Sequence, residues 1–205
     1  MVQKTIFKMK FRRRRAGITD YSKRLAMVKC GLPRLTVRKT NKAIIAQLII
    51  KRENGDVVLS SANSAELAHY GWLGNSNLPS AYLTGYLCGL RANGKAKRFI
   101  LDMGRAHPSK SCFAFAALKG TMDSGLESNM GEGILDEARL TGKHIAGYAA
   151  KLKAESGEKY QKLFSAYLKA NLKPEEIDKQ FSSTKEKISQ NPNPNPKPGS
   201  NVKKA

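Results

Sequence analysis

Residues 34–62, RLTVRKTNKAIIAQLIIKRENGDVVLSSA, have the pattern of three successive β-strands joined by two short turns. The middle segment, residues 43–50, is apolar on both faces, which is typical of a central strand. The pair Asn54-Gly55 predicts a tight turn into a third strand over residues 57–62. Asn41-Lys42 predicts the earlier turn. We therefore expect an antiparallel three-stranded meander.

The first strand of this meander, residues 34–40, alternates between two kinds of side chain. Leu35 and Val37 point to one side of the predicted strand, whereas Arg34, Thr36 and Arg38 point to the other. The strand should therefore have an apolar face turned to a core and a basic face turned to solvent or to a ligand.

After the meander the hydrophobic period changes to that of helices. Residues 64–70 fit a short helix, and residues 78–93 a longer one that Asn77 caps and Gly94 closes. Residues 98–103 (RFILDM) fit a buried strand, and residues 111–124 another helix. This order predicts an α/β fold with one mixed sheet and helices packed on it. Helical patterns return at 140–156 and 158–171, and a further short helix opens at Pro174.

The N-terminal segment FKMKFRRRRAGITDYSKR, residues 7–24, is the most basic part of the chain. It holds eight Lys and Arg side chains against one acid, Asp20. Because four adjacent arginines repel one another, we expect this segment to stay extended and solvated until it meets a polyanion. Arginine suits phosphate because its planar guanidinium forms paired hydrogen bonds and stacks on bases. A solvated tail or a localisation signal is the simpler interpretation.

The charge is concentrated rather than spread. Residues 1–52 contain 16 Lys and Arg and one acid, residues 53–150 nine of each, and residues 151–205 twelve and six. This asymmetry favours nucleic acid as the partner over a membrane, because no amphipathic basic helix accompanies the run. We expect neither a membrane span nor a secretory signal. Three widely spaced cysteines match no zinc or disulfide pattern and suggest buried thiols in a reducing cytosol.

No catalytic pattern emerges from the residues, and we expect no cofactor and no metal. The three histidines stand far apart, and no phosphate-binding glycine motif is present. Asp102 ends a predicted strand, where nucleases place a metal ligand, but the strands expected beside it supply no partner carboxylate. We therefore expect Asp102 to accept hydrogen bonds that organise a loop.

Several blocks of the chain resemble a known family. They are RRRRAGITDYSKRLAMVKCGLPRLTVRKTNKAIIAQLI (12–49), GWLGNSNLPSAYLTGYLCGLRA (71–92), FILDMG (99–104), FAFAALKGTMDSGL (113–126) and GKHIAGYAAKL (142–152). Together they resemble the universal large-subunit ribosomal protein family that binds 5S ribosomal RNA, number eighteen in the universal naming, in its archaeal and eukaryotic form. The short tail favours an archaeal source. The segment SNMGEGILDEARL departs from the pattern, which leaves the fold of residues 126–140 open.

The resemblance implies a ribonuclease H-like α/β domain without nuclease activity, placed in the cytoplasm in the large ribosomal subunit. Its implied partners are 5S rRNA, large-subunit rRNA and neighbouring ribosomal proteins, with no membrane and no small-molecule substrate. It also implies that 5S rRNA is attached to the large-subunit rRNA in the central protuberance. The expected divisions are an extended basic arm (1–25), an α/β domain (26–135), a C-terminal helical region (136–188) and a disordered tail (189–205).

The RNA-contacting residues implied by the resemblance lie in the arm and around the first hairpin: Lys10, Arg12, Arg13, Arg14, Arg15, Tyr21, Lys23, Arg24, Arg34, Arg38, Lys39, Asn41 and Lys42. Four more are candidates with a structural alternative. Trp72 and Asn75 either pack the glycine-rich loop or contact RNA, and His107 and Lys110 either present donors to a phosphate before the helix at Ser111 or belong to an ordinary loop. Tyr21 either packs locally or stacks on a base. A general basic RNA-binding or RNA-chaperone protein and, less favoured, a metal-dependent nuclease are the alternative functions.

Overall fold

Four strands form one mixed sheet in a computed structural model that describes residues 9–193. They are β1 (Arg34–Lys39), β2 (Ile44–Arg52), β3 (Gly55–Asn63) and β4 (Ile100–Asp102). Their order in the sheet is β3-β2-β1-β4, with antiparallel pairing through the meander and parallel pairing of β1 with β4. The predicted mixed α/β fold is therefore confirmed.

The register explains which side chains of the sheet are buried. Leu35 pairs with Leu48 and Val37 with Ala46, and all four side chains are almost fully buried on the core face. The predicted central position of β2 is correct, but Ile45 on its opposite face is only half-buried. The sheet therefore has one closed face and one partly open face.

β4 is shorter than the six residues predicted. Only Ile100–Asp102 pairs with β1, and Arg98 forms an isolated bridge with Glu127 instead. The backbone of Glu127 bonds to both Lys97 and Phe99. Part of residues 126–140, whose fold the sequence did not predict, thus pairs with the chain just before β4.

Two helices cover the core face of the sheet. Helix α3 spans Leu78–Ala92 and α4 spans Phe113–Asp123. Asn77 caps α3 as predicted, accepting a hydrogen bond from the Ser80 amide (3.0 Å). Twelve of the fifteen residues of α3 are buried, so it is a central helix. Gly85 permits close contact with α4, since a Cβ there would overlap the carbonyl group of Ala117.

The C-terminal helices share the hydrophobic core of the domain. They are α5 (Glu137–Thr141), α6 (Lys143–Glu155), α7 (Gly157–Leu163), α8 (Ser165–Lys169) and α9 (Ile177–Gln190). Two of them, α5 and α9, pack on α3. Two short 3-10 helices complete the chain, at Ser64–Tyr70 and Pro174–Glu176. The helix predicted over 158–171 breaks at the buried Phe164, whose ring contacts both Tyr160 and Tyr167. None of the helices within residues 9–193 has the length and apolar character needed to cross a membrane.

The N-terminal arm is not extended throughout, which corrects the prediction. Arg12–Arg15 form one helical turn, α1, and Tyr21–Lys29 form helix α2. The turn buries no residue, so water screens the four exposed guanidinium groups and their repulsion opposes the turn only weakly. Residues 1–8 lie outside the described part of the chain.

Residues 189–192, which the sequence placed in the predicted tail, contact the domain. Helix α9 continues to Gln190, the Tyr70 hydroxyl donates to the Asn191 carbonyl (2.7 Å), and Arg91 Nε donates to the Pro192 carbonyl (2.9 Å). These contacts hold the chain against the domain at least as far as residue 192. The rest of the predicted tail, residues 194–205, lies outside the described residues.

Candidate nucleic-acid interface

Two contacts hold the N-terminal segment against the α/β domain. Arg105, in the loop after β4, donates to the carbonyl of Gly17. Arg24, on α2, forms an ion pair with Asp56 at the start of β3 (2.6 Å). The basic segment is thus held in place at Gly17, directly after α1, and at Arg24, within α2.

The local sequence explains this geometry. Gly17 has a φ of +61°, which favours glycine, and the turn ends α1 there. Asp20 then caps α2, its Oδ1 accepting from the amides of Ser22 (3.1 Å) and Lys23 (3.2 Å). The single acid of the basic run therefore sets the direction of α2.

Arg34 makes structural contacts, which favour a structural role over its predicted contact with RNA. Its side chain is only 3% exposed and donates to Asp102 (3.1 Å) and to Asp56 (3.0 Å). Alternation does place Arg34 opposite Leu35, but this end of the partly open face is closed by the two carboxylates. A guanidinium buried with two acids has no free edge for RNA.

Arg38, two residues along the same face, remains accessible, with its side chain 49% exposed. Its Nη1 donates to the carbonyls of Val37 (2.9 Å) and Asp102 (3.1 Å). Gly104, which has a φ of +62°, lies against the guanidinium group, and a Cβ there would approach it to 3.2 Å. The group is therefore fixed in position while part of it faces solvent.

A cleft of about 690 Å³ separates the N-terminal segment from the end of β1 and the loop after β4. Its cationic lining comes from three segments of the chain: Arg13, Lys23, Arg24, Arg38, Lys39 and Arg105. Its two carboxylates are already engaged, Asp20 as a helix cap and Asp102 with Arg34. The lining is thus strongly electropositive where three segments meet.

Most of the predicted RNA-binding residues are accessible to solvent, whether or not they line the cleft. Lys10, Arg12, Arg13, Arg14, Arg15, Tyr21, Lys23, Lys39, Asn41 and Lys42 are exposed, and Arg24 is partly exposed. The Tyr21 ring is 41% exposed at the start of α2. Asn41 also has a structural contact, because its carbonyl accepts from the Ser76 hydroxyl (3.0 Å).

Trp72 and Asn75 pack within the domain, which favours the structural alternative over an RNA contact. The Trp72 side chain is buried, and its Nε1 donates to the Ser80 hydroxyl (2.8 Å). Asn75 is half-buried beside Tyr167. Burial raises the pKa of the Tyr167 hydroxyl, and hydrogen bonds from Asn75 and Asn77 offset only part of that rise. The glycine-rich loop is therefore anchored to the C-terminal helices.

His107 and Lys110 are exposed, but they do not stand at a helix N-terminus. Helix α4 begins at Phe113, two residues after the predicted start, since Ser111 has a φ of +53°. Pro108, between them, lines the cleft, and neither His107 nor Lys110 does. Arg105 occupies the position closer to the basic segment. The sequence analysis missed Arg105, and its place directly after the FILDMG block was the only signal for it.

The geometry of Asp102 matches the predicted role of organising a loop. Its Oδ1 accepts from the Gly104 amide (2.8 Å), and its Oδ2 accepts from Arg34. Within residues 9–193 the structure brings no three His, Cys, Asp or Glu side chains together in a way that could hold a metal ion. The arrangement can bind and position an anion, and it offers no pair of groups for acid–base chemistry.

Comparison with known proteins identifies the family of this chain. Residues 5–98 match the family model described as ribosomal large subunit proteins 60S L5 and 50S L18. A large ribosomal subunit protein uL18 from Korarchaeum cryptofilum is 47% identical over 186 residues, 89% of this chain and 94% of that protein. The chain belongs to the uL18 family. A uL18 protein from Caldivirga maquilingensis is 46% identical over 89% of this chain and 90% of its own length, and one from Methanobrevibacter smithii is 44% identical over 93% and 98%.

Membership of the uL18 family confirms several predictions. The chain is a structural protein of the large ribosomal subunit in the cytoplasm, and not an enzyme. The archaeal type is confirmed, because the three relatives come from archaea and cover nearly the whole chain. Ribosomal RNA and neighbouring ribosomal proteins are accordingly its class of partner.

Proposed function

We propose that this uL18 chain binds 5S rRNA through the basic surface around the cleft and attaches it to the large-subunit rRNA in the central protuberance. The observation that carries the proposal is the meeting of six cationic side chains from three segments in one cleft. Such a concentration of guanidinium and ammonium groups is the electrostatic footprint of a nucleic-acid-binding protein.

The distribution of charge along the chain supports a single binding surface. Residues 1–52 carry 16 of the 37 Lys and Arg residues and only one of the 16 acids. The described part of this region comprises the N-terminal segment, α2, β1 and β2, and its Lys and Arg side chains are exposed except for the buried Arg34 and the half-buried Arg24. RNA that binds there would meet little opposing negative charge.

The solvated arginines of α1 and the fixed Arg38 are suited to different tasks in RNA binding. Arg12–Arg15 are exposed on a helical turn that buries nothing, so they can follow a flexible phosphate backbone. Arg38 is fixed by two carbonyls and can therefore select one orientation of its partner. Contacts with phosphates determine affinity, whereas positioned contacts determine which RNA is preferred.

The proposal is tested by titrating the purified protein with 5S rRNA and with transfer RNA at several salt concentrations. We expect tight binding to 5S rRNA, weaker binding to transfer RNA, and a steep fall of affinity with salt. Each neutralised phosphate contributes up to about 0.9 to the slope of log affinity against log salt. Equal affinity for both RNAs, or a nearly flat slope, would contradict the proposal.

The second candidate is a general basic RNA-binding or RNA-chaperone protein. The four solvated arginines of α1 favour it, because contacts to phosphate carry no sequence information. Recovery of the protein from cells and sizing of the RNA bound to it separates the two functions. One RNA of 5S length supports the proposal, whereas a broad mixture supports the alternative.

A further inference from the structure

We propose that the cleft between the N-terminal segment and the sheet holds one unpaired nucleotide of the bound RNA, with its base on the apolar floor and its phosphate on the surrounding cations. This inference rests on the proposed function, and it adds to it the ligand of one defined subsite.

The floor of the cleft is apolar and incompletely covered. Met27 of α2, Leu101 and Met103 around the end of β4, and Phe113 at the start of α4 all line it and are half-buried. These side chains come from separate elements, so the floor exists only when the chain is folded. An aromatic ring and two polarisable thioethers offer a surface on which a flat base can pack.

Cations surround this floor and leave donors unused. Both protons of Arg38 Nη1 are taken by carbonyl oxygens, and its Nη2 lies 3.6 Å from Asp102 Oδ1, beyond ordinary hydrogen-bond distance. Within residues 9–193 its Nε has no hydrogen-bond acceptor. A fixed, half-exposed guanidinium with donors to spare suits a phosphate or the edge of a base.

The second cation beside the floor is Lys39. Its Nζ lies 5.9 Å from the centroid of the Phe113 ring, which is cation–π distance. A base that packs on Phe113 would therefore carry its phosphate close to an ammonium group. The cleft combines, within one small volume, the two features that single-stranded nucleic acid requires, a stacking surface and positive charge.

Size favours a nucleotide over a helix. A volume of about 690 Å³ falls within the range of roughly 300–1,000 Å³ typical of small-ligand pockets. A double helix cannot enter such a cleft, whereas a base turned out of a loop or bulge can. Recognition of RNA commonly uses such splayed bases, stacked on aromatic or guanidinium planes.

The test compares wild-type protein with Met27→Trp, which fills the cleft, and Leu25→Trp, a matched control. Leu25 lies on the same helix, is 56% exposed and does not line the cleft. Each protein is titrated with 5S rRNA, and the 2′-hydroxyl reactivity of every nucleotide is mapped in the complex. We expect Met27→Trp to weaken binding about tenfold, the order of one lost stacking contact. The salt slope should fall by no more than about 0.9, because at most one phosphate contact is lost with the nucleotide. One or two adjacent unpaired nucleotides should regain the reactivity of free RNA, and Leu25→Trp should match wild type.

Ultraviolet crosslinking of the wild-type complex keeps the inference testable if Met27→Trp fails to fold. We expect a single nucleotide crosslinked to the tryptic peptide that contains Met27, Met103 or Phe113. Failure of wild type to bind 5S rRNA would overturn the proposed function itself. Normal wild-type binding with identical reactivity maps for both variants, or with crosslinks only to α1, would overturn the nucleotide subsite alone. In that case an apolar side chain of a neighbouring protein becomes the candidate occupant.

Discussion

The guanidinium of Arg34 donates to the carboxylate of Asp102 across the parallel strands β1 and β4, with Nη1 and Oδ2 3.1 Å apart. Both side chains are more than nine-tenths buried, and Arg34 Nη2 also reaches Asp56, which in turn binds Arg24 of α2. One buried arginine thus connects the only parallel strand pair within residues 9–193 to the helix that carries the basic segment. Its charge stabilises the fold and positions the basic surface.

Replacement of Arg34 with serine should destabilise the protein. Removal of one partner of a buried ion pair leaves the other charge uncompensated, which typically costs about 3–5 kcal/mol. We expect Arg34→Ser to lower the free energy of unfolding by that order, measured by urea denaturation. Asp102 would keep only Arg38 as a cationic partner, at 3.6 Å, and Asp56 would keep Arg24.

Arg38→Ser is the matched control on the same strand face. The Arg38 side chain is half exposed, so its loss should change the free energy of unfolding by less than about 1 kcal/mol while it weakens 5S rRNA binding. The opposite pattern, with a stable Arg34→Ser and an unfolded Arg38→Ser, would show that the two arginines have been assigned the wrong roles.

Deletion of residues 1–15 should separate binding from folding. The described residues it removes, 9–15, are all exposed, and α1 buries none of its residues. We expect an unchanged melting temperature by circular dichroism, together with weaker 5S rRNA binding and a smaller salt slope. Unfolding of the truncated protein, or an undiminished salt slope, would contradict the proposal that this segment binds RNA and is not needed for folding.

Sequence patterns predicted the fold better than they predicted the site. Alternation in β1 and the apolar run of β2 are local signals, and both strands formed where expected. The same alternation placed Arg34 and Arg38 on one face, but it carried no information on which acids would meet them. Asp102 lies 68 residues further along the chain, and only the parallel pairing of β4 brings it to Arg34.

The glycine-rich loop shows the same limit. Trp72 stood in a loop whose composition permitted either packing or RNA contact. The partner that decides between them is Phe181, on a helix that begins more than 100 residues later. Resemblance to a family could transfer candidate residues, but their burial depends on contacts between distant segments.

The nuclease alternative predicts metal-dependent cleavage, and we expect none. Both oxygens of Asp102 are occupied, one by Arg34 and one by the Gly104 amide, so neither is free for a metal ion. Incubation of labelled RNA with wild-type protein and Mg²⁺ or Mn²⁺ should leave the RNA intact. Cleavage that co-purifies with wild type and disappears in Asp102→Asn would overturn this assignment.

The three cysteines should differ in reactivity, although all were expected to be buried. Cys30 is exposed, Cys112 is partly covered and Cys88 is fully buried. Burial raises the pKa of the Cys88 thiol, so less of the reactive thiolate is present at a given pH. With iodoacetamide at about pH 8, we expect alkylation of Cys30 first and of Cys88 only after unfolding, as measured by mass spectrometry. Rapid labelling of Cys88 in the native protein would contradict the packing of α3 on the sheet.

The single tryptophan provides a direct test of the structural role of Trp72. Its side chain is 3% exposed, and its ring meets that of Phe181 edge-on at a centroid distance of 6.1 Å. We expect a blue-shifted fluorescence maximum that does not change when 5S rRNA is added, because the indole is already shielded by α9. Stoichiometric quenching by RNA would instead return Trp72 to the interface.

Phe181→Ala should expose that indole. Phe181 is 6% exposed, and the centroid of its ring also lies 5.3 Å from that of Tyr82. Its truncation therefore opens a cavity where α9 packs on α3. We expect a loss of about 3–5 kcal/mol in the free energy of unfolding and a red shift of Trp72 emission. Leu163→Ala is the matched control, since Leu163 is 61% exposed on α7 and should change stability by no more than about 0.5 kcal/mol. Unchanged emission in Phe181→Ala would show that α9 does not cover Trp72 in solution.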